Sequence, residues 1–459
     1  MKKTSKRIFA ALLSVLMVCT FASCGNDEGK SSSSENSSIS DSAESESSAD
    51  DSGAEASNTD ADTDIDTSKE ITLNLGLPGG YDVTSEEIVN SFKEKYPNID
   101  LVIDDSPWGD FSKKISTQIA GNAAPDVWFQ ENATVLGYGE LGAAMDLSEL
   151  IAENINMDDY SDAIYSARVG DKIWGIPHGV NPIALGYNKA IFDDAGVDYP
   201  TDDWTYQDML DTAEELKSDD VYGFITGGTI TVGWYPWIRS AGGMALDEAK
   251  ENAVFDDEKS IQGMTAWADT VKNGISPNLT EQNDLGGARS IFGNGKAAMI
   301  FLQYSELATD LNVNFPDLDY DTVMIPKTFD GSQRFVPSVA NTWMINDRAS
   351  DEGKEAAWLW IEHYLSDDVQ EIIAQSGSTL PVKKEAFESV KSLEGNPANK
   401  EAYTEGVSEA GTTLDENAKW SEWRIAAQPI FEEILNGTKD PETGLKEIKE
   451  KVQVILDEA

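Results

Sequence analysis

The sequence predicts an α/β fold built on parallel strands, and three observations predict it. Between Ile71 and Phe129, segments of two-residue apolar alternation are interleaved with segments whose apolar residues recur every three to four positions. Each helical segment carries its own stop signal, Pro97 after the first and Gly121 after the second. A short apolar stretch after Pro125 has the length of a buried strand. Strand–helix–strand–helix–strand implies right-handed crossovers and a parallel sheet, with ligand chemistry beyond the carboxyl ends of the strands.

Taken in order, Ile71, Leu73, Leu75 and Leu77 alternate with Thr72, Asn74 and Gly76 as a first strand. Thr84 with Glu87 reads as a capping box, and Ile88, Val89, Phe92 and Tyr96 line one face of the helix behind it. Ile99 to Ile103 forms a second strand, and Phe111, Ile115 and Ile119 mark a second helix. Asp126-Val127-Trp128-Phe129 closes the unit as a third strand. Further along, 354–365, 425–435 and 444–456 read as helices, and no tandem repeat is present.

The charge balance removes several classes of function. The 459 residues carry 34 Lys and Arg against 83 Asp and Glu, a formal charge of −49. A nucleic-acid binder needs cationic surface to displace counterions, and adhesion to anionic lipid needs basic patches. Two cysteines, Cys19 and Cys24, are too few for a disulfide scaffold or a Cys-rich zinc module. His178 and His363 are the only histidines, which excludes a His-cluster metal site. No cofactor is expected.

The first residues point to export. Lys2, Lys3, Lys6 and Arg7 precede an apolar run from Ile8 to Val18, too short to span a bilayer and suited to a signal-peptide core. Ala22 and Ser23 before Cys24 resemble a bacterial lipobox, with Phe21 where Leu is usual. The alternative is an ordinary secretory signal cleaved nearby. On the lipoprotein reading, residues 1–23 are a signal peptide and Cys24 carries the lipid, holding the protein at the extracellular face of the cell membrane. Residues 24–68 are Ser, Asp, Glu, Ala and Thr, with Ile39 and Ile65 the only large apolars. Such a segment cannot offset chain entropy by burial, so an acidic disordered tether with a reach of roughly 35–40 Å is expected.

Ordered motifs along the rest of the chain resemble family 1 extracellular solute-binding proteins. They begin with Phe92-Lys93-Glu94-Lys95-Tyr96-Pro97-Asn98-Ile99, then Gln118-Ile119-Ala120-Gly121 and Ala124-Pro125-Asp126-Val127. Gly175-Ile176-Pro177, Ile183 to Lys189, Trp234-Tyr235-Pro236-Trp237 and Gly295 to Met299 follow. Gly377 with Leu380-Pro381-Val382, and Asn436-Gly437, complete the set. The resemblance implies a sugar-binding lipoprotein that delivers ligand to the permease and ATPase of an ABC importer and acts as a monomer. It also implies a two-lobed periplasmic-binding-protein-like fold of type II, with a multi-crossing hinge and a ligand cleft between the lobes. On this reading 69–187 and 324–376 form the N-terminal lobe, and 188–323 and 377–459 the C-terminal lobe. Crossings are expected near 186–190, 323–326 and 376–381.

A sugar needs aromatic platforms for its C–H faces and planar polar groups for its hydroxyls. The chain has 12 Trp. Trp108 follows Pro107 after the second strand, and Glu131 and Asn132 follow the third, where this family contacts ligand. Trp234 leads a Gly-flanked aromatic segment with Trp237; three aromatics in four residues cannot all enter one core from a strand, so one is expected at the cleft. Tyr304 stands beside Ser305, at which many relatives carry Trp. Asn341 and Trp343 lie on a loop-to-strand step, and Trp423 and Arg424 precede the last helix pair. Trp237, Trp343 and Trp423 also fit core positions, Trp108 also fits a surface cover on the helix of Phe111, and Asn132 also fits a helix cap. Trp358 and Trp360 fit helix packing, and Arg239 and His178 fit structural roles better, His178 standing near the crossover at the edge of the cleft.

Three rival classes remain. A glycosidase needs two carboxylates flanking the scissile bond, and no motif singles out a pair; no nucleophile elbow or phosphate loop is present either. A same-fold protein for a polyamine or metal fits the charge, and a surface glycan adhesin fits the anchor and tether. The aromatic excess favours a carbohydrate, an oligosaccharide above a monosaccharide.

Overall fold

The computed structural model describes residues 69–79 and 83–458. The expected signal peptide (1–23), the lipid-bearing Cys24 and the tether to residue 68 lie outside the described residues. The body opens as the sequence reading anticipates. Strand β1 (Ile71–Gly76), helix α1 (Val83–Lys95), β2 (Ile99–Asp104), α2 (Trp108–Ala120) and β3 (Val127–Glu131) follow one another, and β1 pairs in parallel with both β2 and β3. Leu73 and Leu75 are fully buried, and Phe111 and Ile115 are the buried face of α2. Helix α1 starts at Val83, so Thr84 lies in its first turn rather than capping it. Helix α3 (Asn132–Glu140) begins directly after β3.

The remaining strands of the main sheet are β4 (Ile176–Asn188), β5 (Tyr222–Ile225), β6 (Ala297–Gln303), β7 (Tyr320–Met324), β8 (Val336–Ile345) and β9 (Gly411–Thr412). Together they make one nine-stranded sheet, ordered β2-β1-β3-β8-β4-β6-β5, with β7 beside β4 and β9 beside β8. The sheet is mixed rather than wholly parallel. The long strands β4 and β8 run antiparallel to each other, β8 antiparallel to β3 and β4 antiparallel to β6 and β7, because the chain travels out of one half of the molecule and back; short β9 joins β8 in parallel.

Strand β4 ties the two halves together. Its first part, up to Pro182, pairs with β8; from Ile183 onward it pairs with β6 and β7. The change of partners falls at a proline, which has no N–H to give to a ladder. Close by, a Cβ at Gly179 would stand 2.5 Å from a Thr379 side-chain carbon, so residues 378–380 press directly on this strand. Leu380 and Val180 exchange two backbone hydrogen bonds there, each 3.0 Å long.

Each half has its own core. The first lobe packs β1 and β3 against α1, α7 (Asp351–Tyr364) and α8 (Asp367–Ser376), around Phe92, Trp343 and Trp360. The second packs α4 (Tyr206–Leu216), α5 (Trp234–Ser240), α6 (Glu258–Lys272), α10 (Trp420–Leu435) and α11 (Pro441–Asp457) around Trp237, Trp267 and Phe431. Between them α9 (Glu401–Ala410) leads into β9. Local signals define these helices well. Thr205 and Asp208 form a capping box on α4, Asp257 caps α6, and Pro441 opens α11 behind the cap Asp440.

Candidate ligand cleft

The carboxyl end of β3 delivers Glu131 to the boundary between the lobes. In register beside it stands Asn341 of β8, at a point where the β8–β4 pairing slips by one residue. Such irregularities re-aim side chains, and here one falls at the sheet's crossing point. From the second lobe, the start of α10 brings Arg424, whose guanidinium lies 3.8 Å from the Glu131 carboxylate. Both side chains are about one-third exposed, at 35% and 37%. A water-screened pair of this kind adds little to stability, so both groups remain open to exchange each other for a polar guest. Trp420 lies under the Arg424 guanidinium, 5.9 Å from ring centre to Cζ.

Behind this pair the boundary is closed by buried groups. Asn132, the first residue of α3, is 1% exposed. Its Nδ2 donates to Glu416 Oε2 at 3.1 Å, and its Oδ1 accepts from Thr342 Oγ1 at 3.5 Å. Burial pushes the Glu416 carboxyl up to about 7 despite the donated hydrogen bond. Trp423 is fully buried beneath Arg424, its Nε1 donating to Asn417 Oδ1 at 3.2 Å and its ring edge-on to Trp420.

The structure therefore gathers Glu131, Asn132, Asn341, Trp423 and Arg424 at one seam. It places the other residues elsewhere. Trp234 is fully buried, with one ring face stacked on Phe431 at 4.2 Å and 9°, and Phe255, Tyr235 and Trp423 around its edges. Trp237 is buried edge-on against Tyr206. The strand premise that kept one of these rings out of the core does not hold, because the segment is helix α5, enclosed on every side. A helical turn points residues 234, 235 and 237 in different directions, so all three find core partners. Tyr304 is buried edge-on against Tyr403, and burial holds its phenol well above the ordinary value. Trp343 is buried among Phe129, Trp360 and Tyr364 and, with them, lines the cavity described below. Trp108 is the first residue of α2, and its side chain lies outside the described residues.

Two features were not anticipated. Asn181, immediately before the partner change in β4, accepts the Ser305 N–H at 3.2 Å and so links the crossing strand to the end of β6. The Asn-Pro pair at 181–182 was the available signal. A cavity of about 200 Å³ also opens beyond β1, between the start of α1 and residues 378–379. Thr84, Ser85, His178, Ser378 and Thr379 supply its polar lining, and Phe129 and Tyr364 part of its apolar lining. His178 stacks on Tyr364 at 5.3 Å and packs at a tilt against Phe129 at 4.3 Å. A hydroxyl-rich wall with aromatic rings beside it is the surface a sugar-sized guest requires.

Known proteins share this architecture. The family model for bacterial extracellular solute-binding proteins matches residues 87–401. The diacetylchitobiose-binding protein DasA of Streptomyces coelicolor is 25% identical over 330 residues, covering 69% of this chain and 72% of that protein. The erythritol/L-threitol-binding protein of Mycolicibacterium smegmatis is 22% identical, over 69% of this chain and 72% of its own. Among solved structures, the ABC substrate-binding protein Lmo0181 of Listeria monocytogenes in complex with cycloalternan superposes with a TM-score of 0.74 at 23% identity, covering 84% of this chain and 99% of that one. The sugar-binding protein MalE of Xanthomonas citri gives 0.72 at 16% identity, over 84% and 97%.

Proposed function

The chain belongs to the bacterial extracellular solute-binding proteins, and from that premise we propose that it captures a carbohydrate between its lobes and hands it to an ABC importer without altering it. The observation that carries this reading is the Glu131–Arg424 pair, with Asn341 beside Glu131, where the carboxyl end of β3, the middle of β8 and the start of α10 come together. A carboxylate, a carboxamide and a guanidinium offer planar acceptors and donors to a hydroxyl-bearing guest, and such pairs give orientation as well as strength. Closure of two lobes about a hinge buries the guest and reports occupancy as a change of shape.

The lobe limits, 69–187 with 324–376 and 188–323 with 377–459, belong to this proposal; the partner change along β4 falls at Pro182 and Ile183, ahead of the 187/188 limit, and supports a crossing on this strand. Of the residues singled out from sequence, Glu131, Asn341 and Arg424 are assigned to the ligand and Asn132 and Trp423 to the layer behind them. Attachment of lipid at Cys24 and an acidic tether, both supported by the N-terminal sequence, complete the reading, with the protein acting as a monomer at the extracellular face of the membrane.

The test is calorimetric titration of the purified protein against mono- and oligosaccharides, with chromatography of the sugar afterwards. Saturable binding of one sugar, recovered intact, is the expected outcome. Cleaved sugar would make the protein an enzyme, and heat only with polyamines or divalent metals would move the ligand to another class.

A further inference from the structure

Glu416 is the most deeply buried carboxylate at the seam, 4% exposed, and among the described residues it forms no ion pair. The segment that carries it, residues 413–419, is fastened to the second lobe. Tyr235 Oη donates to the Thr413 carbonyl at 2.9 Å and to Asp415 Oδ1 at 3.1 Å, and the Ala245 N–H donates to Asp415 Oδ2 at 2.9 Å. Asn417 Nδ2 donates to the Lys250 carbonyl at 2.9 Å. Glu416 alone reaches across, to Asn132 at the head of α3 in the first lobe. The backbones are close there too: a Cβ at Gly137 of α3 would lie 3.2 Å from the Ala418 carbonyl. An ionised carboxylate in this position is costly, because burial removes its water and one amide donor returns little.

We propose that Glu416 is a proton-controlled tie between the lobes, a positioning residue that holds α3 against residues 413–419 while neutral and loosens that contact when charged. The charges facing it support the mechanism. Burial is the largest influence and favours the neutral acid; Glu131 at the end of β3 and Asp415 on its own segment act in the same direction. Opposing them are the Asn132 amide and Lys250 from the second-lobe loop. Arg424 on α10 is engaged with Glu131. The folded-state pKa of about 7 lies above the ordinary 4.5. The stabilising contribution is therefore complete below about 4.5 and lost as pH rises through about 7. Lobe position thus responds to protons near neutral pH with no ligand involved.

The inference rests on the two-lobed fold and not on the sugar reading, so its test uses no sugar. In the full-length protein with Cys19 and Cys24 replaced by Ser, nitroxides are placed at exposed Leu141 of the first lobe and Leu285 of the second. Their distance distribution is then measured at about pH 5.5 and about pH 8.5, either side of the transition. In the parent protein the distribution shifts between the two values. In Glu416→Gln it stays at the acid position, since a neutral amide mimics the protonated acid. Asn132→Ala, which deletes the donor and keeps the acid, sits at the alkaline position throughout and covers the case in which the first variant does not fold. A Glu416→Gln profile that follows the parent, or an Asn132→Ala profile that shifts like it, would overturn the proposal.

Discussion

The aromatic core of the second lobe and the polar seam between the lobes use their residues in opposite ways. In the core, Trp234 lies flat on Phe431, with no exposed surface. At the seam, Glu131 and Arg424 meet across the lobe boundary while each keeps about one-third of its side chain in water. One region is densely packed; the other keeps its polar groups in contact with water. The abundant aromatics of the second lobe thus fill its core, whereas half-buried planar polar groups stand at the lobe boundary.

Substitutions can sharpen this contrast, and the largest effect belongs to the core. Trp234→Ala should cost about 3–5 kcal/mol, as large-to-small changes of buried aromatics do, and appear as a fall in the denaturant midpoint. If that variant kept its stability and lost only ligand, Trp234 would belong to the cleft and the contrast would fail. Next comes the crossing itself. Gly179→Ala forces a methyl against Thr379 and the Leu380 carbonyl, and should destabilise by about 1–3 kcal/mol. A neutral outcome in thermal unfolding would show that residues 378–380 move aside freely.

A buried base supplies the third. His363, packed against Phe92 and sharing a 2.9 Å hydrogen bond with Ser91 Oγ, is held down to about 4 by burial. Its folded pKa lies below the ordinary 6.5, so its contribution is present above 6.5 and lost as pH falls through about 4. The acid slope of the unfolding midpoint should flatten in His363→Gln; an unchanged slope would place the proton elsewhere. The smallest effect on stability belongs to the seam, where Glu131→Gln should change unfolding by less than about 1 kcal/mol. A larger loss would mean that the pair is structural.

Much of the fold was legible because it is local. The alternation of Ile71, Leu73, Leu75 and Leu77 names the buried face of β1, and Gly121 ends α2 where expected. Trp358 and Trp360 pack inside α7, as their place in a helix suggested. The site was legible only in part. Positions after a strand and ahead of a helix pair drew attention to Glu131 and Arg424, and the structure brings the two together at the lobe boundary, with Arg424 inside the first helix of that pair rather than before it. Nothing local reveals that Asn132 meets Glu416, 284 positions away, because that contact is made by the sheet and the return of the chain. Trp234 misled for a related reason: its Gly-flanked neighbours suggested a strand with one ring at the cleft, and the helix it occupies is enclosed by α6 and by α10, which lies far along the chain.

The central claim is that the seam holds the ligand while the core only supports it, and Arg424→Ala tests it most directly. Its affinity for the sugar identified by titration and its denaturant midpoint are measured side by side with the parent protein. The account predicts at least a tenfold loss of affinity, about 1.4 kcal/mol or more, with the midpoint essentially unchanged. Affinity equal to that of the parent would contradict it.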